Sequence, residues 1–154
     1  MIFNAFTYLA AAALAVVHGS PSVTDGDTIR IGETRIRLEG IDAPEMSQTC
    51  SRSDGTRWQC GKQSKAALIE KIGKQTVSCT ISGTDRYKRS IGTCFVGRLN
   101  LNQWMVQNGW SVAYARYSKM YVADEQDARR RRVNIWSGDF QMPGEFRSRK
   151  KQRQ

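Results

Sequence analysis

The chain is predicted to be a small β-barrel carrying helices, and three observations point that way. Two pairs of β-rich stretches each flank a turn, one pair across residues 28–38 and one across 76–97. A fifth short β-rich stretch follows at 110–114, apolar residues recur along 61–72 and 99–109 as on helices, and 121–132 runs acidic first and basic last as a helix does. Five strands with about three helices make a mixed barrel-plus-helix class. At 154 residues the chain has the length of one domain with a sizeable core. The organisation read from it is a leader or anchor over 1–20, a folded domain over 21–140 and a basic tail over 141–154.

Residues 1–24 carry no Lys, Arg, Asp or Glu, and 6–17 form an Ala-rich apolar run. That run resembles the apolar segment of a secretory signal and is short for a bilayer span. No basic residue precedes it, and Val17-His18-Gly19 only loosely matches a cleavage site. Export is the expectation, with a retained anchor as the other reading.

Asp25-Gly26-Asp27 is a tight turn, since Asp bonds its own backbone and Gly tolerates unusual dihedrals. Asp25 itself is read as a turn residue. Thr28 to Arg30 is strand, Gly32-Glu33 is a hairpin turn, and Arg35 to Leu38 alternates polar with apolar residues as a half-buried strand does. Gly40 breaks it, and Asp42-Ala43-Pro44-Glu45 leaves as a loop. The hairpin brings Asp27 towards Asp42 and Glu45, provided that Gly40 bends the strand enough to put Arg37 and Asp42 on one side. Carboxylates converging without a lysine repel unless a cation fills the gap, and oxygen donors suit a hard ion such as calcium or magnesium. An arginine beside that ion suits a phosphate. Glu39 and Arg35 are read as solvated strand residues.

Met46 to Gln59 is a polar loop, and Gly61 to Ile72 is an amphipathic helix stopped by Gly73. Thr76 to Ser82 and Ser90 to Gly97 form the second hairpin. Cys79 and Cys94 stand at near-equal distance from its turn, so antiparallel pairing sets them opposite each other. Of the three connectivities four cysteines allow, Cys50–Cys60 and Cys79–Cys94 is expected, with Cys50 and Cys60 bracketing the polar loop. Zinc is disfavoured because no CxxC occurs and His18 is the one histidine. Disulfides imply an oxidising compartment, a periplasm or the outside.

Leu99 to Gly109 is read as a helix whose Leu101, Trp104 and Met105 belong to the core. Trp110 to Tyr114 is the short fifth strand. Tyr121 to Arg132 is a helix with Asp124, Glu125 and Asp127 early and Arg129 to Arg132 late, which complements the helix dipole and accounts for the arginine run as helix chemistry. Arg147 to Gln154 is basic, without apolar residues, and reads as an irregular tail with weak affinity for polyanions. Lys and Arg number 24 against 14 Asp and Glu, a net charge of +10, which favours nucleic acid over an anionic membrane surface as partner.

The DGDT run at Asp25–Thr28, RLEGIDAPE at Arg37–Glu45, DRYKR at Asp85–Arg89 and NIW at Asn134–Trp136, in this order, resemble the staphylococcal-nuclease-like (thermonuclease) domain over roughly 22–137. The resemblance implies an OB-fold barrel and a calcium-dependent nuclease acting on DNA and RNA. It implies that Asp27, Asp42 and the Ala43 carbonyl hold the ion. Glu45 would orient or deprotonate the attacking water, and Arg37 and Arg89 would grip the phosphate. Tyr114 corresponds to a family tyrosine near the scissile nucleotide. Where the family has a second tyrosine this chain has Arg116, and Tyr87 lies within the DRYKR motif, so Tyr87, Tyr114 and Arg116 are the candidate substrate contacts. The alternative reading is a barrel of the same kind that binds nucleic acid without cleaving it. A monomer is expected, with no stable membrane partner unless the N-terminal segment is retained.

Overall fold

The computed structural model describes residues 13–154. The first twelve residues, with most of the apolar run read as a leader, lie outside the described residues. In chain order the strands are β1 (Ala15–Gly19), β2 (Pro21–Asp25), β3 (Thr28–Ile31), β4 (Thr34–Leu38), β5 (Ile41–Asp42), β6 (Cys50–Ser51), β7 (Arg57–Trp58), β8 (Val77–Thr84), β9 (Ser90–Val96), β10 (Leu99–Asn100) and β11 (Val112–Ala113). The helices are α1 (Cys60–Ile72), α2 (Leu101–Gln107), α3 (Val122–Arg131) and α4 (Pro143–Gln152), with a 3-10 turn at Asn134–Ser137.

The main sheet is ordered β1-β8-β9-β4-β3-β2, with β10 added on β9. All its pairings are antiparallel except β4 with β9, where Ile36 lies opposite Ser90 and Leu38 opposite Gly92. This parallel seam joins the two predicted hairpins and sets the start of β9 beside the middle of β4. The small β5–β11 pair, with Asp42 opposite Val112, continues the sheet past the bend at Gly40.

The core gathers the inward positions of the hairpins with one face of each helix. Ile29, Ile36, Leu38, Ile41, Leu68, Ile72, Val77, Leu101, Met105 and Val106 are all buried in one cluster with Cys79 and Cys94. A second cluster holds Cys50, Cys60, Trp58, Val112 and Ile135 under the long loop. Both expected disulfides are present, Cys50–Cys60 and Cys79–Cys94, the latter between directly paired positions of β8 and β9.

Several elements differ from the sequence expectation. Leu99 and Asn100 pair with Val96 and Phe95, so the helix begins at Leu101, with the Asn100 side chain accepting from the Gln103 amide as its cap. Four α-helices stand where about three were expected, because the stretch read as an irregular tail is helical over Pro143–Gln152. Pro at its first position and Glu145 in its first turn suit a helix start, and Arg149, Lys150 and Lys151 suit its end. Ala15–Gly19, the end of the apolar run, pairs along its full length with Val77–Ile81 as β1. The arginine run of α3 is paired within the fold. Arg129 meets Glu125 and lies over the Trp136 ring, while Arg130 and Arg131 both meet Asp127.

Asn102 fixes the helical layer to the β4–β9 seam. It is fully buried, donates to the Glu39 and Gly92 carbonyls at 2.9 and 3.1 Å, and accepts from the Cys94 amide at 3.1 Å. Asn102→Ala removes the side-chain partner of the Glu39 carbonyl and the Cys94 amide, while the Gly92 carbonyl keeps its bond from the Glu39 amide at 2.9 Å. It should lower unfolding free energy by about 3 kcal/mol, read as a lower urea midpoint, while Glu33→Gln in the exposed hairpin turn leaves the midpoint unchanged.

Candidate active site

Asp25 and Asp27 of the turn before β3 and Asp42 and Glu45 of the stretch after β4 gather at one end of the barrel. Asp25 closes the turn before β3, its Oδ1 accepting from the Asp27 amide at 3.0 Å. That turn presses against α1: a Cβ on Gly26 would lie 2.1 Å from the Ser64 Oγ and 2.7 Å from the Ala43 Cβ, so only glycine fits. Asp27 is thereby carried to the loop after β5, where its Oδ2 accepts from the Ala43 amide at 2.7 Å. Gly40, at φ +78°, supplies the bend the sequence required, and Asp42 comes back towards Arg37.

Arg37 spans the two aspartates, with Nη1 3.1 Å from Asp27 Oδ1 and Nη2 3.4 Å from Asp42 Oδ1. Both carboxylates are buried, at 8 % and 2 % exposure. Desolvation by burial pushes the Asp42 carboxyl above its ordinary range; hydrogen bonding to Arg147 opposes this, and the Asp27 charge adds to it. Burial, reinforced by the Asp27 charge, also raises Asp25, to about 7.

Glu45 sits one turn further along the loop. Its amide donates to Gln48 Oε1 at 3.2 Å, its carbonyl accepts from the Gln48 amide at 2.8 Å, and the start of α1 abuts it so closely that a Cβ on Gly61 would overlap the Glu45 carbonyl. Buried Gln48 in turn donates to the Gln141 carbonyl at 2.6 Å. The Glu45 side chain keeps 38 % of its surface in solvent, the condition for meeting a water.

Arg89 enters from the second hairpin. Asp85 holds it, accepting from the Arg89 amide at 3.0 Å and from its Nε at 2.8 Å. Burial pushes the Asp85 carboxyl up, but the hydrogen bonds from Arg89 and Tyr87 outweigh it and hold the group below its ordinary range. Arg89 Nη1 reaches the Thr28 hydroxyl at 3.4 Å, and that hydroxyl donates to Asp27 Oδ1 at 3.1 Å. The two predicted arginines therefore flank the same carboxylate.

The expected substrate contacts lie further out. Tyr87 is 55 % exposed at the tip of the second hairpin, with the Arg86 and Arg89 guanidinium groups 4.9 and 5.6 Å from its ring centre. Tyr114 is half-buried beside the Gly40 bend, its amide donating to the Gly40 carbonyl at 2.8 Å. Arg116 is exposed, and the ring that neighbours Tyr114, at 4.8 Å, is Tyr117. Tyr117 was missed in the sequence because a turn, not a strand, joins it to Tyr114.

Arg147 was also missed. From α4 its Nη1 lies 2.9 Å from Asp42 Oδ1 and 2.8 Å from Glu45 Oε1, and its Nη2 lies 2.9 Å from Asp42 Oδ2. Nothing in a run of basic residues marks one of them as site-facing.

The donor chemistry fits a hard cation. Asp27 and Asp42 offer only oxygens, the donors a hard ion takes, whereas the positive charge that offsets them in this structure comes from Arg37 and Arg147. Among the described residues no three His, Cys, Asp or Glu side chains form a metal cage. A cation would therefore need backbone, water or phosphate oxygens as well.

Comparison with known proteins gives the same identification. The sequence profile described as "Staphylococcal nuclease homologue" matches residues 35–138. The chain is 36 % identical over 133 residues to the succinoglycan biosynthesis protein ExoI of Rhizobium meliloti (strain 1021), covering 84 % of this chain and 69 % of that protein. It is 34 % identical over 137 residues to an uncharacterized endonuclease of Escherichia coli O157:H7, covering 84 % and 83 %. It is 33 % identical over 132 residues to a micrococcal nuclease of Shigella flexneri, covering 75 % and 70 %. With its curled sheet, its inserted helix and its acidic loop, the chain belongs to the staphylococcal nuclease family.

Proposed function

We propose that the protein is an endonuclease that hydrolyses phosphodiester bonds of DNA and RNA, with calcium as its cation. The observation that carries this reading is the meeting of Asp27 and Asp42 on Arg37 at one end of the barrel, with Glu45 joined to Asp42 through Arg147 and Arg89 reaching Asp27 through Thr28. Membership of the nuclease family supports it, as do relatives named endonuclease and micrococcal nuclease.

Asp27, Asp42 and the Ala43 carbonyl are the groups that would hold calcium. Bound there, the ion supplies positive charge to a phosphate oxygen and a hold on the attacking water. Glu45, half in solvent, accepts a proton from that water at a carboxylate oxygen as the water oxygen bonds to phosphorus. The bond from phosphorus to one ester oxygen breaks, and that oxygen leaves with a proton from solvent. Arg37 is buried enough for its charge to be weakly screened, and its free N–H groups remain available to phosphate oxygens. Arg89, fixed in direction by Asp85, offers the second guanidinium. Both donate more strongly as charge builds on the phosphate, so they favour the transition state over the bound substrate.

Tyr114 and its neighbour Tyr117 offer ring faces for bases next to the scissile phosphate, with Arg116 and Tyr87 on the flanks. The two disulfides suit an oxidising compartment and so support the reading that the protein works in a periplasm or outside the cell.

Incubating the purified protein with single-stranded DNA and with RNA tests the reading. Digestion should need calcium and stop in EDTA; equal digestion with EDTA removes the cation from the mechanism. Glu45→Gln should lower kcat by about a thousandfold with DNA affinity largely kept, and a variant that cleaves at the parent rate rejects Glu45 as the proton acceptor. Arg89→Lys should lose about a hundredfold in kcat, measured on the same substrate. A protein that binds DNA with no cleavage under any metal would instead be the non-catalytic barrel.

A further inference from the structure

The feature left over from this reading is Arg147. Its guanidinium engages both oxygens of Asp42 and one of Glu45, so it stands between a proposed cation ligand and the proposed proton acceptor. That gap is where an attacking water has to be. Asp42 Oδ1 is also reached by Arg37 at 3.4 Å, so both Asp42 oxygens face guanidinium donors.

We propose that Arg147 is an internal counterion that closes the active site, holding Asp42 and Glu45 until a divalent cation displaces it. The proposal rests on the reading of Asp27, Asp42 and Ala43 as the cation site. Arg147 engages both Asp42 oxygens, so it and a dication on those oxygens would compete for the same positions and repel each other strongly in so dry a place. One must leave, and the side chain able to do so is the one from the loosely held element.

The way α4 is attached fits such a release. The segment before it is anchored: the Asp139 carbonyl accepts from the Ser51 amide at 2.8 Å, Gln48 donates to Gln141, and the Phe140 ring packs edge-on against Trp136 at 4.9 Å. Within α4 only Pro143 is buried. Among the described residues Arg147 is the one α4 side chain that hydrogen-bonds outside its own helix. Its side chain is 38 % exposed, whereas that of Asp42 is 3 % exposed, so solvent reaches the arginine side of the pair. The helix thus pivots about a fixed Met142–Pro143 junction, with a single polar tie to break. If the tied form dominates, apparent calcium affinity falls by the fraction of molecules in the open form.

Calorimetric titration of calcium into the full chain, without nucleic acid, tests this. Arg147→Met keeps the aliphatic stem and removes the tie, and should bind calcium about tenfold more tightly than the parent, as expected when the open form is about one molecule in ten. Arg149→Met removes an equal charge two residues along and should leave Kd unchanged. In the parent, calcium should speed amide hydrogen exchange over 143–152. Arg147→Lys, which loses the two-nitrogen grip on Asp42, should fall between parent and Met and gives a second reading should the Met variant not fold. Equal or weaker calcium binding by the folded Arg147 variants overturns the counterion role and leaves the cation site standing, as does unchanged binding paired with a raised KM for DNA, which would make Arg147 a phosphate ligand. No calcium binding by any of the proteins overturns the cation site and the counterion role together.

Discussion

Two carboxylates kept almost dry at one end of a barrel are the constraint on which the remaining structure depends. Asp27 and Asp42 repel each other, and burial removes the water that would screen them. Arg37 lies across both and offsets that cost, which is why the chain bends at Gly40 rather than continuing straight. The close approaches nearby follow from the same need. Glycine at 26 lets the turn reach Ala43 and Ser64, and glycine at 61 lets α1 press on the Glu45 carbonyl. A looser loop would let the acidic groups drift into solvent, away from Arg37.

The second arginine is supplied by topology. The parallel seam of β4 and β9 brings the end of the second hairpin turn alongside β4, so that residues more than fifty positions apart in sequence face one carboxylate. Asp85 then turns a long, flexible side chain into a directed one through its contacts to the Arg89 amide and Nε. A site built from a turn, a bent strand and a hairpin end has its geometry set by the sheet register, which the buried Asn102 and the Cys79–Cys94 crosslink both help to hold.

Much of this was legible in the residues. Period-two alternation over Arg35–Leu38, turn chemistry at Gly32-Glu33 and the symmetric placement of Cys79 and Cys94 gave the two hairpins and their crosslink, because these signals are local. The bend at Gly40 could be required by argument but not seen. The parallel β4–β9 pairing, the edge strands β1 and β2, and the short β6–β7 pair left no pattern, since each is fixed by long-range contact. The helix at Pro143–Gln152 was hidden by its lack of an apolar face; its Pro start and charge order were the available cues. The position of Arg147 was out of reach, because only the fold places that one basic side chain of several next to Asp42.

The edge strand β1 carries a consequence for maturation. All five of its residues pair with Val77–Ile81, and Val17 lies opposite the crosslinked Cys79. A peptidase cutting at Val17-His18-Gly19 would strip that pairing and expose a row of unsatisfied N–H and C=O groups along β8, a ready template for association with other chains. Cleavage before Ala15 would keep the β8 edge covered, so the last three residues of the apolar run, Ala15, Val16 and Val17, serve the folded domain whatever becomes of the residues ahead of them.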